Sequence, residues 1–162
     1  MSTYKGSLAP LVVRILGRSG SGKTTLILEI IRHFADIKTG VIKHSGHYLD
    51  MPESDKDTAR FARAGAAIVA GLSDGFSEVF FSGKTPLELS DIMSLYKSRA
   101  DLVLIEGARN FNFPTILIGD APEGARVENP LLKLGFRPAA DKSQMEKVFA
   151  CIGHLLKTAN NS

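Results

Sequence analysis

Hydrophobic residues in this chain fall into short compact runs that alternate with stretches of helical spacing. LVVRIL at 11–16 is an apolar run that ends at Gly17 and predicts a buried strand. From Thr24 the spacing changes, and Leu26, Ile27, Ile30, Ile31 and Phe34 recur with helical period. TGVIKH at 39–44 predicts a second strand, and a polar loop follows over 45–56. Asp57 stands where it would cap a helix running through Thr58, Arg60 and Arg63 to Gly65. AAIVAGL (66–72) and SEVFFS (77–82) are strand candidates, the second most simply an interior one. TPLE (85–88) puts Thr at a cap, Pro at the first helical position and Glu three residues past the cap, and the helix continues to Tyr96. DLVLIEG (101–107) and PTILIGD (114–120) predict two more buried strands. A final amphipathic helix begins near Ser143, and 121–141 has no readable pattern. Strands alternating with helices imply parallel pairing with helices over the sheet.

Composition narrows the class. A length of 162 residues predicts one domain over 1–162, with 44% hydrophobic and 23% charged residues as in ordinary globular proteins. A net charge of +3 without any tract of Lys or Arg argues against nucleic acid as a main partner. No apolar run approaches the roughly 18 residues needed to span a membrane. The 8–16 segment is short and carries Arg14, which argues against a signal sequence. The lone Cys151 lies in an apolar helical pattern and reads as core filler in a reducing cytoplasm.

The loop after the first strand changes the picture most. Gly17-Arg18-Ser19-Gly20-Ser21-Gly22-Lys23-Thr24 is a complete Walker A phosphate-binding loop between a predicted strand and a predicted helix. Gly17 and Gly22 permit close backbone approaches, and the small residues between them let N–H groups point at phosphate oxygens. Lys23 supplies a charge where the β- and γ-phosphates would lie. The Thr24 hydroxyl is placed to ligate Mg²⁺, and the helix N-terminus adds partial positive charge. These features predict an α/β chain of P-loop NTPase type: a three-layer fold with a mostly parallel sheet flanked by helices, binding a nucleoside triphosphate.

Magnesium at such a loop wants an acid at the end of another buried strand. Glu106 follows LVLI at the carboxyl end, where ligands of open α/β sheets collect, and Gly107 beside it lets the backbone approach a γ-phosphate. Asp101 precedes the same run and falls at the opposite end. The loop from Lys43 to Arg60 is rich in groups that meet phosphate or metal-bound water. Lys43 and Lys56 suit an anionic substrate; Asp50 and Asp57 suit magnesium-bound water. His44 and His47 have metal-pair spacing, but no Cys or third His nearby completes a site. Arg60 and Arg63, three apart, either face one ligand or line a solvated helix face. No Asn-Lys-x-Asp segment marks a guanine site, so spacing leaves ATP and GTP open. The residues also leave open a small-molecule or nucleotide kinase using ATP, with Arg60 or Arg63 clamping the transferred group. An ATP-dependent ligase of the dethiobiotin synthetase type shares the Glu-Gly strand end.

GRSGSGKTTL (17–26), GVIKH (40–44), DKDTARFARAGA (55–66) and DLVLIEGARNFNFPTILI (101–118), in this order, resemble the MobB family of molybdopterin-guanine dinucleotide biosynthesis. The family's Asp-x-Pro-Gly-Lys-Asp-Ser run appears here as DMPESDKDT, with extra residues and no Gly. The resemblance implies a small, dimeric, GTP-binding and weakly GTP-hydrolysing accessory protein. It implies as partners the guanylyltransferase that attaches GMP to molybdopterin, and molybdopterin itself. By the same resemblance Gly22, Lys23, Thr24 and Thr25 match the phosphate loop, and Glu106 and Gly107 the strand-end pair. Lys43, His44, Asp57, Thr58 and Arg60 match the variable loop and the helix after it. Slow hydrolysis fits the lack of an obvious catalytic base. EVFF (78–81), if it forms an exposed strand edge, would suit a homodimer.

Overall fold

The apolar run at 11–17 becomes the central strand of a parallel sheet. A computed structural model describes residues 9–45, 57–81 and 87–160. β1 (Leu11–Gly17) pairs in parallel with β5 (Leu102–Gly107) on one side and β6 (Thr115–Ile118) on the other. β2 (Thr39–His44) adds beyond β5 and the three-residue β7 (Leu132–Leu134) beyond β6, giving the order β2-β5-β1-β6-β7. Every pairing is parallel, so all five carboxyl ends lie on one edge. The expected α/β class is therefore the one adopted.

Alternation along these strands builds the core. Val13 and Ile15, Leu102 and Leu104, and Ile116 and Ile118 share one face of the sheet. Against them pack Leu26, Ile27 and Ile30 of α1 (Lys23–His33) and Met145, Val148, Ile152 and Leu156 of α4 (Lys142–Asn160). These side chains are almost wholly removed from water, each worth roughly 1.5–3 kcal/mol of transfer free energy. α4 starts one residue earlier than its apolar period suggests because Asp141 caps it. The amide of Gln144 donates to Asp141 Oδ1 at 3.2 Å, and Gln144 Oε1 reaches back to accept from the amide of Gly135 at 2.6 Å. Cys151 is half-buried on α4, and burial pushes its thiol pKa up.

The opposite parity of β1 carries Arg14, which has no exposed surface. Its Nε donates to Thr115 Oγ1 at 2.9 Å, and its terminal nitrogens donate to the carbonyls of Ala108, Phe111 and Arg126. Burial lowers the guanidinium pKa, but from so high a starting value that it stays charged. Among the described residues no carboxylate forms an ion pair with it; neutral oxygens satisfy it instead. Arg14 thereby ties the loop after β5 to the central strand.

The described residues group into two compact units, and this sheet belongs to the first (1–46 and 96–162). The second (47–95) contains α2 (Asp57–Arg63), β3 (Ile68–Ser73), β4 (Phe76–Phe81) and most of α3 (Leu89–Tyr96). Here one expectation is corrected: EVFF is not in an interior strand of the parallel sheet. β3 and β4 form an antiparallel pair of their own, Ile68 opposite Phe81 and Ser73 opposite Phe76. Only Asp74-Gly75 separates the strands, far too short for a parallel crossover but suited to a hairpin. On one face lie Ile68, Leu72, Val79 and Phe81, all exposed, Leu72 at 81%. On the other, Thr58 of α2 donates to Glu78 Oε1 at 2.6 Å and Val69 is buried. The expected cap of α3 at Thr85 and Pro86 lies outside the described residues. Two further differences fall in the first unit. β6 is shorter than its apolar run, and the segment without a readable pattern, 121–141, holds β7 and a 3-10 turn over Pro138–Ala140. Three-residue β7 is defined by its pairing with β6, which no local pattern announces. Among the described residues no helix is long and apolar enough to cross a membrane.

Replacing Arg14 with Met keeps the volume but strands four acceptors, two buried and two part-buried. Urea denaturation should show the variant destabilised by about 2–4 kcal/mol; a change below about 0.5 kcal/mol would show that these oxygens find other partners.

Candidate functional site

The phosphate loop spans the end of β1 and the start of α1. Gly22 is the residue before α1 and takes φ 99°, ψ 17°, a left-handed conformation natural to glycine. A Cβ there would also stand 3.1 Å from the Cα of Arg137. The first intrahelical bond runs from the amide of Leu26 to the carbonyl of Gly22 at 2.9 Å. The N–H groups of Lys23, Thr24 and Thr25 precede it and so have no partner within the helix. No acidic residue occupies the first turn of α1, and no side chain caps it. A helix start of this kind is suited to an anion. Ser21 is buried beneath the loop, its hydroxyl without a hydrogen-bond partner.

Register sets the acid. Glu106 pairs with Ile15 on one side and with Lys43 on the other, one strand away from the loop's own strand. Its Oε2 accepts from the Thr24 hydroxyl at 3.1 Å. The residue after it, Gly107, has φ 94°, and a Cβ there would meet the carbonyl oxygen of His44 at 2.3 Å. Ala108 also lies at positive φ, 52°, and its carbonyl is held by Arg14. Glu106 thus ends its strand at a reversal that only a bare backbone fits.

Lys23 donates to the carbonyl of Arg18 at 2.8 Å. Its pKa is lowered, first by burial; Glu106 works in the opposite direction, while Arg109 and Lys43 add repulsion. Several cations thus converge near one carboxylate, an arrangement that favours a polyanion. Around them opens a cleft of about 750 Å³ lined by Ser19, Gly20, Gly22 to Thr25, Glu29, Lys43, Glu106, Arg137, Ala139 and Ala140. Among the described residues no three His, Cys, Asp or Glu cluster as a metal cage. Magnesium beside nucleotide phosphates does not require one, because a hydroxyl, a carboxylate, waters and phosphate oxygens complete its shell. Thr24 and Glu106 are a donor set of that kind.

The sequence profile described as MobB, molybdopterin guanine dinucleotide synthesis protein B, matches residues 12–131. This chain belongs to the MobB family. A relative from Methanocaldococcus jannaschii is 35% identical over 119 residues, covering 70% of this chain and 49% of the relative. A Haemophilus influenzae protein named molybdopterin-guanine dinucleotide biosynthesis adapter protein is 34% identical over 110 residues, covering 64% of this chain and 60% of that one. The chain therefore spans about half to three fifths of the length of these relatives. The crystal structure of Bacillus subtilis MobB superposes with a TM-score of 0.65 at 21% identity, covering 87% of this chain and 97% of that one, a likeness of fold.

Within this MobB chain the structure separates the residues singled out by sequence. Ser19, Gly20, Gly22, Lys23, Thr24, Thr25, Lys43 and Glu106 line one cleft, with Gly17 and Ser21 buried behind the loop, Arg18 exposed on it, and Gly107 behind Glu106. Asp57 and Arg60 lie on α2 of the second unit, where Arg60 donates to Asp57 Oδ1 at 3.0 Å. His47, Asp50 and Lys56 lie outside the described residues. His44 ends β2 with its ring edge-on to Phe111, 5.6 Å between centroids. Asp101 stands at the start of β5, accepting from the Lys38 amide at 3.3 Å, the opposite end from the cleft. Sequence reasoning missed Glu29, Arg109, Arg137, Ala139 and Ala140, since no motif marks them.

Gly107→Ala should destabilise the protein by about 1–3 kcal/mol in chemical denaturation. Unaltered stability would mean that the reversal after Glu106 tolerates a side chain.

Proposed function

We propose that this chain is a GTP-binding, slowly GTP-hydrolysing adapter in molybdopterin-guanine dinucleotide biosynthesis, acting in the cytoplasm beside the guanylyltransferase that joins GMP to molybdopterin. The observation that carries the reading is the contact of Thr24 with Glu106 at the mouth of a complete phosphate loop. The family description and the names of the relatives support the pathway. The guanine dinucleotide product named there favours GTP over ATP as the ligand.

Each cleft residue has a part in this reading. The loop amides and the start of α1 hold phosphate oxygens, and Lys23 exchanges its bond to the Arg18 carbonyl for the β- and γ-phosphates. Thr24 and Glu106 hold magnesium directly or through its waters. Magnesium, when bound, supplies positive charge against the charge that develops on the phosphate during hydrolysis. Lys23 and the amides add to that stabilisation. Among the described residues the cleft is lined by two carboxylates: Glu106, engaged by Thr24, and Glu29, paired with Arg32. With neither free to activate water, hydrolysis is slow and the protein works chiefly as a nucleotide-dependent partner. The exposed hairpin face of Ile68, Leu72, Val79 and Phe81 supports assembly as a homodimer, since contiguous apolar surface of this kind marks interaction sites.

Calorimetric titration with magnesium should give binding of GTP in preference to ATP, weakened about tenfold or more in Lys23→Ala; a wild-type chain that binds neither nucleotide rules the reading out. Glu106→Gln should lower magnesium-dependent phosphate release by about 10- to 100-fold, and unchanged turnover would remove Glu106 from this role. In sedimentation at micromolar concentration the protein should be a dimer that Leu72→Asp shifts toward monomer. A monomeric wild type would count against the hairpin interface. A pull-down from the native cytoplasm should recover a guanylyltransferase.

A further inference from the structure

The cleft has two ends, and only one is accounted for by phosphate and metal. In the sheet order, Glu106 and Lys43 stand on the β5 and β2 side of the phosphate loop. Residues 137–140, which follow β7, reach the cleft from the other side of β1. A triphosphate whose terminal group lies beside Thr24 and Glu106 runs along the loop amides away from that acid. Its nucleoside then falls on the β7 side.

The corner at 137–140 is built for a fixed position. Arg137 has φ 51° and ψ 56°, left-handed for a residue with a side chain and directly before Pro138, where extended backbone is the rule. Such a conformation persists only where its surroundings hold it, and outliers of this kind collect at ligand clamps. Two contacts hold this one. The amide of Arg137 donates to the carbonyl of Ser21 in the phosphate loop at 2.9 Å, and its Cα lies against Gly22. On either side, Gln144 bonds the amide of Gly135 and the carboxylate of Asp141, which also caps α4. The backbone is therefore locked to the loop while the side chain lines the cleft. Among the described residues no carboxylate forms an ion pair with Arg137; its guanidinium lies over the ring of Phe136, 5.5 Å from the centroid, which leaves its other face for a second ring. Beside it Ala139 and Ala140 present only methyl groups, which leaves room in the cleft.

We propose that Arg137 is the base-binding residue of this cleft, its planar guanidinium stacking on the nucleotide's heteroaromatic ring while Ala139 and Ala140 make space for the ring and ribose. The proposal rests on the cleft being a nucleoside triphosphate site. A planar, delocalised cation with no acid partner suits an aromatic face, and the phosphates already have Lys23 and the loop amides. The corner also couples base and phosphate recognition, because the residue that meets the ring is hydrogen-bonded to the loop that holds the phosphates.

The test separates the base from the phosphates. Calorimetry would compare Mg·GTP, Mg·ATP and magnesium tripolyphosphate, which has no base, on wild type, Arg137→Ala and Arg137→Lys. Both substitutions keep the backbone amide, and unchanged thermal midpoints would verify the fold. Arg137→Ala should weaken the preferred nucleoside triphosphate about tenfold and leave tripolyphosphate unchanged. Arg137→Lys, which keeps the charge without the plane, should recover little of the loss. Equal losses for nucleotide and tripolyphosphate, or full rescue by Lys, would make Arg137 a phosphate contact and overturn the proposal. So would nucleotide binding untouched by either substitution. A wild-type chain that binds none of the three would instead overturn the nucleotide reading of the cleft.

Discussion

Everything at the cleft depends on β1 running parallel between β5 and β6. Parallel pairing puts all the strand ends on one edge, and the register sets Glu106 beside the strand that leads into the phosphate loop. A slip of one residue would turn Glu106 to the opposite face and bring Ile105 or Gly107 into its place. That register is secured by apolar packing on one face, where Val13 and Ile15 meet α1 and α4. On the other it is secured by Arg14, whose guanidinium holds both Thr115 on β6 and the carbonyl of Ala108 just past Glu106. One buried side chain thus braces both neighbours of the central strand.

Of the four non-glycine residues at positive φ among the described residues, Ala108 and Arg137 stand next to the cleft, while Ser98 and Asn129 do not. Gly107 and Ala108 both take positive φ immediately after the acid, and Arg137 does so immediately against the phosphate loop. Each costs on the order of 1–2 kcal/mol for a residue with a side chain. The two with side chains are held by hydrogen bonds into the central strand or the loop that leaves it: Ala108 by Arg14, and Arg137 by Ser21. The core of α1, α4 and the sheet supplies the stability that makes these local costs tolerable.

The second unit follows a different logic. Its hairpin is short and antiparallel, and one face is left to solvent with Ile68, Leu72, Val79 and Phe81 upon it. A two-stranded ribbon is marginal by itself, and here the other face is secured by α2 through Thr58 and Glu78. The apolar surface that remains is the observation on which the proposed homodimer rests. It is the counterpart to the cleft: polar chemistry gathered on one unit and unpartnered hydrophobic surface on the other.

The sequence by itself determined the phosphate loop and most of the core. A Walker A loop is a local object: glycines, Lys23 and Thr24 work through the strand before them and the helix after them, so contiguous residues suffice to specify it. The parallel strands β1, β5 and β6 were legible for a related reason, since runs buried on both faces are largely apolar. Glu106 was found because a strand end is also a local signal. The hairpin could have been read from Asp74-Gly75, but the apolar residues around it resemble an interior strand when taken alone. Only the tertiary structure decided the rest. Arg14 is buried because oxygens from positions 108, 111, 115 and 126 converge on it, a set separated from it by about a hundred residues of chain. Arg137 enters the cleft because β7 pairs with β6 and Gln144 pins the turn behind it. Neither leaves a periodic trace, because a contact between distant positions is encoded by the whole packing rather than by any one segment.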